Sequence, residues 1–555
     1  MSEGSQKREA RRGWWAIAVA AVLALSLYAP RWLFGRVCFP NDLYIHYNWA
    51  TFFFERWVAG CMKPEWLPEV FNGLGAPVFA YYPPGYFALA GIFRWLAGDT
   101  WLAMRLAEAA AVAAMGWTAW RHAGGTPAKR ALVALAVCAA PYGLATLSLG
   151  GGMPAFVSSA LVLYALARCG RLVSRSAVGF DAPLAMAIGL IPWTHNLALF
   201  MGVAALGGGL ALARLACADA GKAIRWIVVS AGAGAALGSG HLATALAGSG
   251  AINMSNLVDI LDWRAGFATP IFSKVDWFAF QWGIGGYLML GFFALLAAWK
   301  ASSGGRRRAE AAFWLGAAGI SLFFASELSW PLWAALPPLQ HFQFPTRFFQ
   351  PASLALAMGL GQALGLQEGS RRARWLACMG LCAGLALSAA FAAKTALGGE
   401  PVEARAETFA EATSGQWEYL PAGQPLGWRA LGKVSPGSIV ELDGGRVEVL
   451  KPGNCGGLRA LVWRGEAGGQ RLPALAHPRF RAKANGKAAA WEKDAGSGLV
   501  RMELGSGETL VEMEWSRGWA QALSLGGLGA LLLVPPIWRT ARKGRKANAM
   551  SDGED

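Results

Sequence analysis

A chain of 555 residues that is 55% hydrophobic, with mean hydropathy +0.35, is not an ordinary soluble protein. Its net charge of +16 is gathered in short connectors between apolar runs, among them Lys7 to Arg12, Lys129–Arg130, Arg306 to Arg308, Arg371 to Arg374 and Arg539 to Lys546. Basic connectors that alternate with less basic ones set membrane orientation, so the charge points to topology and to no nucleic-acid partner.

The first apolar run, Gly13 to Pro30, ends in Ala-Pro-Arg-Trp and lacks a small-x-small cleavage site. We read it as an uncleaved first span with a cytoplasmic N-terminus. An outer loop follows over residues 31–99. Within it Asp42 and His46 are four apart, so a helix starting at Asn41 or Asp42 puts both on one face. Pro40 fits a chain that turns and then starts a helix. Tyr44, Tyr47, Trp49, Phe52, Phe53, Phe54 and Trp57 crowd that helix, as expected at a membrane–water boundary. Pro64, Pro68, Gly73, Gly75, Pro77, Pro83 and Pro84 then predict a rigid, shaped loop, with Tyr81 and Tyr82 as substrate-binding candidates. Residues 84–98 read as a short amphipathic helix at the outer surface.

Spans are expected near 100–120, 128–148, 153–170, 180–195, 196–214, 224–246, 282–300, 309–327, 348–366 and 374–394, about eleven with the first. Outer loops at 247–281, carrying Asp259, Asp262, Arg264 and Lys274, and at 328–347 interrupt them. After Lys394 the chain turns polar and Gly-rich with period-2 segments SIVEL, RVEVL, LRALVW, LVRMEL and TLVEMEW. Asp443-Gly444 and Asn485-Gly486 are hairpin signals between such runs. Residues 395–517 are therefore expected to form a small extracytoplasmic β domain, a sandwich. Trp519 to Trp538 returns the chain to a basic cytoplasmic tail, residues 518–555 forming the last helix and tail. The fold class is an α-helical polytopic membrane protein of about twelve transmembrane helices with that β domain near its C-terminus.

Eight cysteines show no metal spacing. Cys138, Cys169, Cys217, Cys378 and Cys382 read as packing residues, and Cys38 and Cys61 share the outer loop, where a disulfide is open. No phosphate loop, dinucleotide fingerprint, HExxH or CxxC occurs, so no cofactor and no metal site is expected.

Asp42 at a bilayer edge is a candidate general base or anchor for a cationic group, against the plainer role of helix cap. His46 is placed to hydrogen-bond a substrate or orient Asp42. In SWPLWAALPPLQHFQFPTRFF (329–349), Arg347 suits a phosphate, which a guanidinium grips bidentately, against the plainer role of interfacial anchor. Gln340, His341 and Gln343 add donors. His195-Asn196 is a polar pair at an outer span junction, and Glu327 is a lesser candidate.

Four passages carry a family resemblance: NDLYIHYNWA with PEWLPEVFNGLGAPVFAYYPPGY, WTHNLALF, LPPLQHFQFPTRFF, and WEYLPAG ahead of HPRFRAKANGK. In these the chain resembles bacterial membrane proteins with the 6-pyruvoyl-tetrahydropterin synthase-related membrane region, and more loosely YfhO-type proteins. Both groups are related to GT-C glycosyltransferases, which use polyprenyl-phosphate-linked sugars. The resemblance implies a GT-C-like membrane domain over 1–394. It implies Asp42 as catalytic base or acceptor-positioning group and Arg347 near the lipid phosphate. Thr346 replaces the usual tryptophan, and SLGGGMPAF (148–156) lacks the Arg and Glu that such proteins carry between spans.

The function expected is transfer of a sugar from a polyprenyl-phosphate donor to a glycan, lipid or protein acceptor at the outer face of the cytoplasmic membrane. Asp42 and His46 are its catalytic candidates; Arg347, His341, Gln343, His195, Asn196, Tyr81 and Tyr82 are its binding candidates. The alternatives are a transporter or lipid flippase, and a non-catalytic envelope-glycan assembly factor.

Overall fold

Apolar residues recurring at helical spacing fold most of the chain into helices, and period-2 alternation between Ile439 and Trp515 folds sheet, with a last apolar helix, Ser524–Leu533, beyond it. The computed structural model describes residues 3–37, 42–149, 152–253, 263–267, 279–300, 305–365, 371–398, 400–401, 434–452, 459–516, 522 and 524–533. Cys38, Asn41, Asp259, Asp262, Lys274, WEYLPAG and most of the C-terminal tail lie outside them.

The helices that frame the candidate site are α1 (Glu3–Trp32), α2 (Leu43–Val58), α3 (Val78–Tyr81), α4 (Gly85–Ala97), α5 (Thr100–His122), α6 (Pro127–Cys138), α7 (Pro141–Leu149), α8 (Met153–Ser174), α9 (Ala182–Thr194), α10 (Asn196–Ala216), α11 (Ala220–Gly238) and α12 (Gly240–Gly248). Helices Ala279–Lys300, Gly305–Ala325, Phe349–Gly365 and Arg371–Gly398 complete the bundle. Five stretches are long and apolar enough to cross a bilayer: Trp15–Trp32, Pro127–Leu147, Met153–Ser174, Asn196–Ala216 and Arg374–Gly398. Two bent pairs, Ala220–Gly238 with Gly240–Ala251 and Arg307–Ala325 with Glu327–Ala335, raise the number to seven. The chain is thus a multi-pass membrane protein, with fewer clear spans among the described residues than the twelve expected. Length and charge keep two of the expected spans out of that number. The 13 residues of α9 reach only about 20 Å, short of a 30 Å hydrocarbon core. The longer α5 carries Arg105 and Glu108 within its apolar run.

Glu108 is fully buried, and its carboxylate holds Arg31 of α1 in a two-pronged ion pair at 2.6 and 2.9 Å. Trp32 Nε1 donates to the same carboxylate at 2.9 Å, and Arg31 also reaches the Leu147 carbonyl at 3.3 Å. A carboxylate in an apolar run, which reads as an isolated polar residue, is therefore the fastener between α1, α5 and α7. On the other side of the bundle, Gly234 and Gly238 let α11 approach α9. A β-carbon at either would fall 2.0–2.1 Å from the carbonyl of Ala185 or Gly189.

Past the bundle, Ile439–Leu442 (β3), Gly445–Pro452 (β4), Arg459–Gly465 (β5), Gly468–Leu475 (β6), Phe480–Ala484 (β7), Lys487–Ala489 (β8), Glu492–Lys493 (β9), Leu499–Leu504 (β10) and Gly507–Trp515 (β11) form two antiparallel sheets. One runs β3-β4-β5-β11-β7-β8 and the other β6-β10-β9. Asp443-Gly444 and Asn485-Gly486 turn the β3–β4 and β7–β8 hairpins with positive φ at all four residues, as those dipeptides predict. A third, two-stranded sheet pairs Arg36–Val37 (β1), just past α1, with Glu400–Pro401 (β2), just past the helix Arg371–Gly398. The exits of those two helices therefore lie side by side, on one face of the bundle.

Glu108→Gln leaves Arg31 buried without its counter-charge, and breaking such a pair costs about 3–5 kcal/mol. The expected outcome is a lower apparent melting temperature for the detergent-solubilised chain, with much of the loss regained in Arg31→Met/Glu108→Leu. A double variant no more stable than the single one would remove this fastener from the account.

Candidate functional site

Helix α2 starts where the turn at Pro40 predicts, and its buried residues Leu43, Tyr44, His46, Trp49, Ala50 and Phe53 line one face. Asp42 occupies the N-cap position and its carbonyl accepts from the His46 amide at 3.0 Å, so the two side chains stand on successive turns. The Asp42 carboxylate makes no capping hydrogen bond. Half-buried, it is pushed up to about 6 by loss of water, while the Arg347 guanidinium pulls in the opposite direction. Arg347 comes from the 3₁₀ turn Pro345–Phe348, some three hundred residues downstream, immediately before the helix Phe349–Gly365.

His46 is 2% exposed and packed against the rings of Trp49, Tyr82 and Phe87, each 5.9 Å away. Its Nε2 lies 3.2 Å from the Tyr82 hydroxyl. His195 stands in the break between α9 and α10, where the charges of Arg347 and His46 both act on it, and its Nδ1 is buried without a hydrogen-bond partner. Asp42, His46, His195, Arg347 and Tyr82 thus converge from the first outer loop, the α9–α10 break and the last outer loop. Gln343, in a left-handed turn at φ 61°, accepts from Arg347 Nη2 at 3.2 Å, and Phe344 lies under the guanidinium at 5.3 Å. Gln343 therefore aims the arginine. His341 lies two residues before Gln343, half-buried, with Nδ1 unpartnered. Gln340 is spent on the Trp333 carbonyl at 3.1 Å. Among the described residues, no three His, Cys, Asp or Glu gather as metal ligands.

Two binding candidates face elsewhere. The Tyr81 hydroxyl donates to the Gly248 carbonyl at 2.8 Å and meets His477 Nε2 at 3.1 Å. Asn196 Nδ2 donates to the Tyr81 carbonyl at 3.3 Å, while its Oδ1 is buried without a partner. Tyr81 and Asn196 hold the loop to the helices and to the β domain, beside the converging group.

The loop between α2 and α3 contains a second polar centre that sequence reasoning did not single out. Glu65, 1% exposed, accepts from Lys63 at 3.1 Å, from Arg479 at 3.0 Å and from Trp515 Nε1 at 3.1 Å. Arg479 and His477 belong to HPRFRAKANGK, whose place in the resemblance left them without a role. His477 is pushed down to about 3, chiefly by burial and then by the Arg479 charge, so it is neutral. Its Nδ1 accepts from the Arg479 amide at 3.2 Å, which leaves the proton on Nε2, facing the Tyr81 hydroxyl. The signal that was available is Glu65 itself, an acid set between prolines and tryptophans with no solvated neighbour in sequence.

The cysteines divide. Cys138 and Cys169 are buried in packing as expected, whereas Cys378 and Cys382 are exposed on the surface of their helix.

Compared with known proteins, the chain matches no family model and no curated protein. Two solved structures are similar to it. One is a cryo-EM structure of the arabinofuranosyltransferase AftD from Mycobacteria, with a TM-score of 0.40 and 18% identity over 69% of this chain. The other is a mutant form of the same enzyme, with a TM-score of 0.38 and 18% identity over 68% of this chain. The chain covers 27% of the length of either.

A carboxyl whose pKa is raised on folding binds its proton more tightly in the native state, so native stability falls as pH rises from about 4 to about 6. Asp42→Asn, which stays neutral, is therefore expected to melt above the wild type at pH 8, with the gain gone at pH 4. Thermal unfolding of both proteins across that range checks it. Equal melting temperatures at every pH would mean that the carboxylate is well solvated.

Proposed function

We propose that the chain is a membrane glycosyltransferase of the GT-C kind, acting at the outer face of the bacterial cytoplasmic membrane with both termini cytoplasmic. The observation that carries the reading is that the Arg347 charge acts on both Asp42 and His195, bringing a carboxylate, a guanidinium and histidines from distant parts of the chain within electrostatic reach. A group transfer from a lipid-linked sugar phosphate needs one group to take a proton and another to hold the departing phosphate.

The reaction is a displacement at the anomeric carbon. Asp42 takes the proton of the acceptor hydroxyl, whose oxygen forms the new bond to that carbon. The bond from the carbon to the phosphate oxygen breaks, and the polyprenyl phosphate leaves with the electron pair. A base with pKa about 6 is ionised at neutral pH yet still basic enough to help the transfer. Arg347, aimed by Gln343, neutralises the phosphate, and a planar guanidinium matches its oxygens better than an ammonium does. His46, held against Tyr82, and His195 offer hydrogen bonds to sugar hydroxyls between the two charges, with His341 beside them. The β strands stand over the first outer loop as an extracytoplasmic domain. The donor is a polyprenyl-phosphate sugar, and the acceptor a glycan, lipid or protein.

Asp42→Asn is expected to reduce transfer by about 10²–10⁴-fold, the usual range for a general base. Arg347→Lys is expected to fall well below wild type despite keeping the charge. In the wild type, kcat/KM should rise with pH to a plateau above an apparent pKa near 6, since only ionised Asp42 accepts the proton. The check is envelope glycan profiling by mass spectrometry in a deletion strain carrying each variant at equal protein level, followed by pH profiles in membranes. Full restoration by Asp42→Asn would overturn the catalytic assignment and favour a transporter or an assembly factor.

A further inference from the structure

The polar centre at Glu65 joins the β domain to the loop that carries Tyr82. We infer that this joint is a positioning device for the site, working through the Tyr81–Tyr82 pair; the inference rests on the transferase reading for its consequence but not for its geometry.

Four residues of the loop are held by the β domain. Glu65 takes Arg479 and Trp515, Tyr81 meets His477, Leu74 accepts from the Leu475 amide at 3.1 Å, and Asn72 accepts from the Val434 amide at 2.7 Å. At Gly73 a β-carbon would fall 1.6 Å from the Val434 carbonyl, and φ is +85°, so the two backbones meet with no room for a side chain. Inside the loop, Leu67 and Ala76 exchange backbone hydrogen bonds at 2.8 and 3.0 Å, and the Glu65 carbonyl accepts from Phe79 at the start of α3. A displacement at Glu65 is therefore passed to α3.

At the end of α3 two adjacent tyrosines divide the work. The order of donors fixes one side of it. The Arg479 amide donates to His477 Nδ1, His477 Nε2–H donates to Tyr81, and Tyr81 donates to the Gly248 carbonyl. Tyr81 is thereby tied to the β domain and to the α12 end at once. Its carbonyl accepts from Asn196, the residue after His195. The next residue, Tyr82, carries the hydroxyl that meets His46. One peptide unit thus links the docked β domain to His46 on one side and to the His195–Asn196 break on the other. Tyr81, His477 and Arg479 are positioning residues, since each acts on the site through another.

The test uses hydrogen exchange by mass spectrometry on the full chain in lipid nanodiscs, comparing wild type, Tyr81→Phe, Arg479→Met, Arg479→Lys and Asp443→Ala. Asp443, in the β3–β4 turn, pairs with Arg471 of β6 and serves as the control for a change within that domain. Tyr81→Phe and Arg479→Met are expected to speed exchange in the first turns of α2 and α10 by about fivefold, the worth of one hydrogen bond. Arg479→Lys should restore part of it, and Asp443→Ala should leave it unchanged. Faster exchange confined to residues 61–82 and the β strands would overturn the inference, leaving the β domain a cover only. A readout on α2 and α10 is independent of activity. If it responds while Asp42→Asn proves harmless, the transferase reading fails and the joint stands. If the exchange is silent while Asp42→Asn abolishes transfer, the reverse holds. In membranes, Tyr81→Phe should lower kcat more than it raises KM, because the site is still formed but less well held.

Discussion

A carboxylate removed from water must have its charge met on the spot, and Glu65 is the place where that requirement organises the loop between α2 and α3 and the β strands. With 1% exposure, it is answered by a lysine from its own loop and by an arginine and an indole from the β domain. An arrangement that undocks the β strands leaves this carboxylate with Lys63 alone. The loop, the sheets and the start of α3 therefore share one boundary condition. The prolines around Glu65 lower the cost of ordering the loop, and the charge decides where it is ordered.

Much of this was legible before any coordinates. The Asp42–His46 spacing sits on a real helix, the Asp-Gly and Asn-Gly dipeptides turn real hairpins, and His195 and Arg347 fall where their electrostatics meet. These features are local, or rest on a polar residue in an apolar setting, and both kinds of signal survive in a single sequence. The pairing of distant charges does not. Arg31 reads as the flank of a span and Glu108 as an oddity within one; only packing of α1 on α5 makes them partners. Arg479 reads as one of many surface arginines of a β strand. The reach of each span is less legible for a different reason. Hydropathy registers apolar length, but α9 stops at His195 and α5 tolerates an ion pair, so runs of similar hydropathy have different reach.

Burial and an opposite charge act on Asp42 in contrary senses, and the outcome matters for what the group can do. Had the guanidinium been in bidentate contact, the carboxylate would be held ionised and weakly basic. Had it been absent, burial alone would drive the acid further up. Desolvation outweighs a positive charge that acts on Asp42 while Arg347 itself is engaged by Gln343. The carboxyl is left at about 6, above the ordinary carboxylate range.

The two acids of the outer loop can be told apart on these grounds. Glu65 accepts three donors and is closed to solvent, so any further ligand must displace a bond already made. Asp42 is half-open, does not cap its own helix, and feels the Arg347 charge, which also acts on His195, whose Nδ1 has no partner. A saturated carboxylate is an element of architecture; an unsaturated one beside an unsatisfied donor or acceptor holds free energy available to a ligand. That contrast, more than the acidity of either residue, separates the two acids: Glu65 has its donors in place and Asp42 takes none from its own helix.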